Sequence, residues 1–304
     1  MDQAPLDWSV CTGEDDTAMK TAFVFAGGSS LGAIQVGMLK SLVAHGWTAD
    51  FVVGSSVGAI NATQFACDPT PDGVARLEGV WRTLRRAAVF PITPLRGLLR
   101  LFLEHGYIVE SRGLEQLLER NLVVRRLEET RLPCHIITTD LLEGTEIVQS
   151  RGPTIEALLA SAAIPGVFPA RRIDGRYVVD GGVANHTPLS AAVELGATRL
   201  VVLPTGYSCT LSEPPRSAIG IALHGLNLLI ARQLVAAIRH YGQQVEVVVV
   251  PPLCPLGVSP YDFDSAAQLI DRAQASTDDW LAHGVELIDG VPHQLPLHSH
   301  RYSG

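Results

Sequence analysis

The chain is short of the features that mark several common protein classes. It has five cysteines in 304 residues, at Cys11, Cys67, Cys134, Cys209 and Cys254, with no C-x-x-C pair among them. Structural zinc sites draw on paired thiolates, so zinc is not expected. No H-E-x-x-H occurs either, and neither a metal nor a cofactor is anticipated. An odd, scattered set of thiols fits a reducing compartment rather than a disulfide framework. Charged residues are only 18% against 47% hydrophobic, which supports a sizeable core and argues against global disorder. Basic charge is in deficit, 23 Lys and Arg against 31 Asp and Glu, for a net charge of -8. Nucleic acid is therefore not expected as a partner, nor is attraction of the whole surface to an anionic bilayer. No continuous apolar run reaches the roughly 18 residues of a membrane span. No basic stretch at the start leads into an apolar one. The expectation is a cytoplasmic protein, with any membrane contact local and peripheral.

What is present centres on residues 51–61, Phe-Val-Val-Gly-Ser-Ser-Val-Gly-Ala-Ile-Asn. An apolar run with two valines enters, a Gly-Ser-Ser-Val-Gly turn follows, and a helix-compatible stretch leaves. This is G-x-S-x-G in a strand–turn–helix setting, which lifts Ser56 above a sheet edge as a candidate nucleophile. Gly54 and Gly58 lack Cβ atoms, so backbone can crowd past the serine. The helix start at Val57 offers unpaired N–H groups where an oxyanion would form. The plainer alternative is a tight turn whose hydroxyl caps a helix, a role open to Ser55.

A similar unit precedes it. Strand Thr21–Ala26 runs into Gly27-Gly28-Ser29-Ser30-Leu31-Gly32 and a helix to His45, stopped by Gly46. A dinucleotide site would want G-x-G-x-x-G and an acid at the end of the next strand. Here position 29 is serine, and the next strand ends in the Ser56 turn. An oxyanion hole built from Gly27, Gly28, Ser29, Ser30 and Val57 explains both turns together, so it is preferred.

Further along, Asp68-Pro69 closes a helix, and residues 72–104 read as helices with a proline break. Five arginines lie between Arg82 and Arg100 with no acid among them. Residues 82–104 are thus either a core face with a solvated back or a peripheral membrane contact. A helix is read from Ser111, strands over Cys134–Thr139 and Thr145–Gln149, and a helix over Ile155–Ala163 capped by Thr154. Strand Arg176–Val179 ends in Asp180-Gly181-Gly182. An acid on such a turn is commonly only an Asx-turn. A hydrolytic serine needs a base, however, and strand ends on one sheet edge converge, so Asp180 is read as that partner. His186 is the alternative base, since it follows Asp180 in order. The remainder reads as scaffold, with helices near 189–195, 220–241 and 262–283 and strands near 199–203 and 245–250. Residues 1–18 are expected to be a flexible acidic arm, 19–285 one hydrolase domain, and 286–304 a poorly ordered tail.

Together these motifs resemble the patatin-like phospholipases. The likeness is carried by Gly27-Gly28-x-x-x-Gly32 with Gly37, Gly54-x-Ser56-x-Gly58, residues 160–169, Asp180-Gly181-Gly182 and Asn185-x-x-Pro188. It implies a three-layer α/β/α fold with a mainly parallel sheet and a Ser56–Asp180 dyad without histidine. It also implies hydrolysis of fatty-acyl esters of lipids, as a phospholipase A, lysophospholipase or carboxylesterase. Two positions depart from the family pattern: Leu31 replaces a common basic residue, and Ser29 a glycine. A lipid-binding protein without turnover and a nucleotide-binding α/β protein remain as alternatives. The oligomeric state stays open.

Overall fold

A computed structural model describes residues 19–90, 106–206, 218–284, 287–288, 291–292 and 295. The expected arm at 1–18 and the arginines beyond Phe90 lie outside these residues. The first four major elements are β1 (Thr21–Phe25), α1 (Gly32–Ala44), β2 (Phe51–Ser55) and α2 (Val57–Cys67). Next come α3 (Pro71–Thr83), α4 (Arg86–Val89), α5 (Arg112–Asn121), β3 (Cys134–Asp140), β4 (Glu146–Gln149) and α6 (Thr154–Ser161). Then follow β5 (Arg171–Ile173), β6 (Arg176–Asp180), α7 (Leu189–Glu194), β7 (Arg199–Leu203), α8 (Ala218–Tyr241), β8 (Glu246–Val249) and α9 (Ala266–His283).

Strands β3, β2, β1, β7 and β8 lie side by side and parallel. Both faces of such a sheet are covered, which is why its strands read as unbroken apolar runs. The period-two alternation assigns each side chain to one of two cores. Phe23, Phe25, Val52, Val201 and Leu203 face α1, α2 and α9. Ala22, Val24, Val53, Leu200 and Val202 face α7 and α8. The architecture is therefore three-layer α/β/α. Helix α1 is buried along most of its length because α9 lies across it. A Cβ at Gly37 would stand 2.3 Å from the Ile270 carbonyl oxygen, so only glycine admits that crossing.

The antiparallel margin positions the site. β4 pairs with β3 through Ile136–Thr139, while β2 pairs with Cys134–Ile137 and β6 with Thr138–Asp140. A strand has two edges, and β4 overlaps both other partners in register. β2 and β6 must therefore share the remaining edge of β3, meeting end to end. The last residue of β2 faces Ile137, and the last of β6 faces Thr138.

Several local expectations need correction. Thr154 does not cap α6: Pro153 occupies the cap position, and the buried Thr154 hydroxyl has no hydrogen-bond partner. β5, which the sequence reading missed, forms a hairpin with β6. The last long helix starts at Ala266, because Asp262 spends its carboxylate on an Asx-type turn to the Asp264 N–H. Within the expected tail, Leu287–Ile288 pairs with Val291–Pro292, and Val291 and Leu295 are buried in the second core. Two of the five arginines in the basic stretch have acidic groups beside them. Arg82 is paired with Glu78 and Asp271, and Arg85 lies 3.9 Å from Asp264. Among the described residues no helix is long and apolar enough to cross a membrane.

Candidate active site

Ser56 sits between β2 and α2 with φ 56°, a left-handed conformation that serine adopts only when its surroundings enforce it. Two glycines do the enforcing. A Cβ at Gly54 would stand 2.5 Å from the Gly58 carbonyl oxygen, and one at Gly58 would stand 2.4 Å from those of Phe25 and Ala26. The Ser56 N–H donates to Ser161 Oγ at 2.9 Å, and Ser161 donates in turn to the Ile137 carbonyl at 2.6 Å. Helix α6 thus fixes the turn from beneath. Ser161 lies in the stretch 160–169 that carried the family resemblance, but nothing in its spacing announced this tether.

The hydroxyl of Ser56 donates to Asp180 Oδ2 at 2.6 Å, 124 residues away in the chain. Asp180 Oδ1 accepts from the Gly182 N–H at 2.7 Å. A Cβ at Gly181 would lie 2.2 Å from the Ile137 carbonyl oxygen, so the turn after β6 also requires glycine. Asp180 is 6% exposed and Ser56 8%. Burial pushes the Asp180 carboxyl up to about 6, against the opposing pull of the Ser56 and Gly182 hydrogen bonds. His186 does not stand between the two. Its ring lies beside Gly27 and Gly182, where desolvation brings its pKa down to about 4.

The five expected oxyanion residues fare unequally. The Gly27 N–H donates to the His186 carbonyl at 2.9 Å and the Ser30 N–H to the Pro260 carbonyl at 3.0 Å. Both are engaged, so these two N–H groups are withdrawn from the expected set. The N–H groups of Ser29 and Val57 have no acceptor among the described residues. Val57 opens α2, where an N–H has no intrahelical partner. Thr205, which belongs to no motif, holds the first turn: its hydroxyl donates to the Gly27 carbonyl at 2.6 Å. A Cβ at Gly28, whose φ is 151°, would meet Thr205 Oγ1 at 2.3 Å.

The family model for patatin-like phospholipase matches residues 23–193, more than half of the chain. The chain belongs to the patatin-like phospholipase family. Patatin-like phospholipase domain-containing protein 7 of Rattus norvegicus is 27% identical over 219 residues, covering 70% of this chain and 15% of the relative. The human patatin-like phospholipase domain-containing protein 6 is 24% identical over 216 residues, with the same coverage of 70% and 15%. An uncharacterized NTE family protein of Mycobacterium tuberculosis is 25% identical over 181 residues, covering 59% of this chain and 47% of that one. The chain thus spans less than half the length of these relatives. Among solved structures, VipD from Legionella pneumophila aligns over 87% of this chain and 67% of its own at a TM-score of 0.41 and 14% identity.

Leu31, where many patatin-like chains carry a basic residue, is 1% exposed and belongs to the first core. Its position is occupied by packing rather than charge. Ser29 takes φ 52°, and its side chain lines a cavity together with Ser56. That cavity is a narrow apolar slot of about 80 Å³. Its walls are helix faces. Val57, Ile60 and Gln64 come from α2, Leu77, Val80 and Trp81 from α3, and Leu114, Leu117, Leu118 and Asn121 from α5. Spacings of three and four place each set on one stripe. A buried chain of hydrogen bonds ties α3 and α2, through α1, to the sheet. Trp81 Nε1 donates to Asn61 Oδ1, Asn61 Nδ2 to Gln35 Oε1, and Gln35 Nε2 to the carbonyls of Ala26 and Leu203.

Proposed function

We propose that this patatin-like protein is a serine hydrolase that cleaves fatty-acyl esters of lipids through Ser56 and Asp180. The observation that carries the reading is the 2.6 Å hydrogen bond between the two side chains, with Ser56 on the wall of an apolar cavity. Asp180 takes the proton of Ser56 as Oγ bonds to the ester carbonyl carbon. The carbonyl electron pair moves to oxygen, and the oxyanion is met by the N–H groups of Val57 and Ser29, with the α2 N-terminus behind them. Such donors are worth on the order of 3 kcal/mol each. The intermediate collapses, the alcohol leaves with the proton from Asp180, and the acyl group stays on Ser56. Water then attacks the acyl-serine, gives a proton to Asp180, and releases the fatty acid as the proton returns to Ser56.

A carboxylate at its usual pKa is a weak base for a hydroxyl. The upward shift of Asp180 to about 6 brings it nearer the working range without losing ionisation at neutral pH. The engaged N–H groups of Gly27 and Ser30 favour this reading over a phosphate cradle, which would need them free. A fluorophosphonate probe tests the proposal. Covalent label on the wild type and none on Ser56→Ala is expected. Equal labelling of both, or of neither, would reject it.

A further inference from the structure

The apolar cavity has a far wall. Gln64, Leu77, Val80 and Asn121 line it, and the same four residues line a separate groove on the outer side. Gln64 Nε2 donates to the Asn121 carbonyl at 3.1 Å, and Asn121 Nδ2 donates to the Leu117 carbonyl at 2.7 Å. The last turns of α2 and α5 are thereby joined. Beyond the wall the groove is open to solvent and carries the charged side chains of Asp68, Arg76 and Arg120. A hydrocarbon chain that passed the wall would leave apolar surface for water and charge.

We infer that the Gln64–Asn121 wall is a ruler that makes medium-length acyl chains the preferred substrates. The inference rests on the hydrolase reading, because it places the scissile carbonyl at Ser56. From Ser56 to Gln64 is eight residues along α2, or about 12 Å at the helical rise. A staggered chain with bonds of ~1.5 Å advances about 1.3 Å per carbon, so roughly eight to ten carbons fill that length. Each methylene that fits within the cavity adds at most about fourfold to kcat/KM, and methylenes in excess of its length overpack the wall and lower it.

The test is a series of p-nitrophenyl esters from four to sixteen carbons, in mixed micelles of fixed composition. For the wild type, kcat/KM is expected to climb to about eight to ten carbons and to fall at least tenfold by sixteen, as the excess methylenes overpack the wall. Gln64→Ala opens the wall and is expected to raise the ratio of sixteen- to eight-carbon turnover about tenfold or more. Gln64→Leu loses the hydrogen bond but keeps the bulk, and is expected to keep the wild-type profile. Ile60→Trp blocks the cavity midway and moves the optimum to four to six carbons. Val80→Ala opens the same wall if Gln64→Ala does not fold. A wild-type profile still rising at sixteen carbons, or an unchanged ratio in both opened variants, overturns the inference. Binding of free fatty acids to Ser56→Ala by calorimetry separates this from failure of the hydrolase reading. Affinity that stops rising near ten carbons supports the ruler even without turnover, and an unbroken rise to sixteen rejects it.

Discussion

The chain contains two strand–turn–helix units of similar composition, Phe25–Gly32 and Ser55–Gly58, and the fold treats them differently. The first is held from outside: Thr205, His186 and Pro260 each bind its backbone, and its glycines make room for side chains. The second is held by close backbone packing, its glycines against the carbonyls of Phe25, Ala26 and Gly58, and by the hydroxyl of Ser161. The first turn is thus a set of backbone groups whose direction depends on neighbours. The second is a single side chain aimed by backbone strain. A glycine-rich turn becomes a platform or an elbow according to what surrounds it.

The most forceful way to break the comparison is at the elbow itself. Ser56→Ala and Asp180→Asn should each lower kcat/KM for a short-chain ester by on the order of 10³–10⁴. Retention of activity within tenfold in Asp180→Asn would remove the carboxylate from the mechanism. Next is the pair of glycines. Gly58→Ala forces a methyl against two carbonyl oxygens that cannot move without the sheet, and should destabilise the protein by roughly 3 kcal/mol or more. Gly28→Ala meets only the Thr205 side chain, though at an unfavourable φ, and should cost less, with partial recovery in combination with Thr205→Ala. Urea titration of the four proteins ranks them, and equal losses would erase the distinction between the turns.

The pH dependence sharpens the elbow further. Activity requires ionised Asp180, so kcat/KM should rise with pH and level off above about 6. Stability runs the other way. Because the folded pKa lies above the unfolded one, the folded state keeps a proton between about pH 4 and 6 that the unfolded chain releases. Stability from this group is full below that window and is lost as pH rises through it, by up to roughly 3 kcal/mol. Asp180→Asn should flatten that slope in unfolding curves taken at either end of the window. The smallest expected effect is at the support. Ser161→Ala leaves the Ser56 N–H and the Ile137 carbonyl without their partner, and should cost about 1–2 kcal/mol in thermal unfolding.

Much of the scaffold is legible from local pattern. Apolar runs such as Thr21–Phe25, Phe51–Ser55 and Arg199–Leu203 are strands where the periodicity places them. The Ser56 elbow is legible because its chemistry is local: two glycines, a strand before and a helix after. The proposed oxyanion donors were legible only as a group. Whether the N–H of Gly27 or Ser30 is free depends on His186 and Pro260, which arrive from more than a hundred residues downstream. Thr154 looks like a cap by sequence, yet burial of its hydroxyl without a partner comes from tertiary packing. The arginines from Arg82 to Arg100 have no acid among them in the chain, and Asp271 reaches Arg82 from another helix.

The amino-acid order by itself determined the period of each strand and where the glycine turns at Ser56 and after Asp180 fall, because strand period and runs of small residues are read over a few positions. Tertiary structure alone decided that the two turns meet. β4 claims one edge of β3, so β2 and β6 must abut on the other, and the ends of those two strands carry the hydroxyl and the carboxylate. Hydrogen-bond register along a shared strand, not proximity in the chain, sets their 2.6 Å separation.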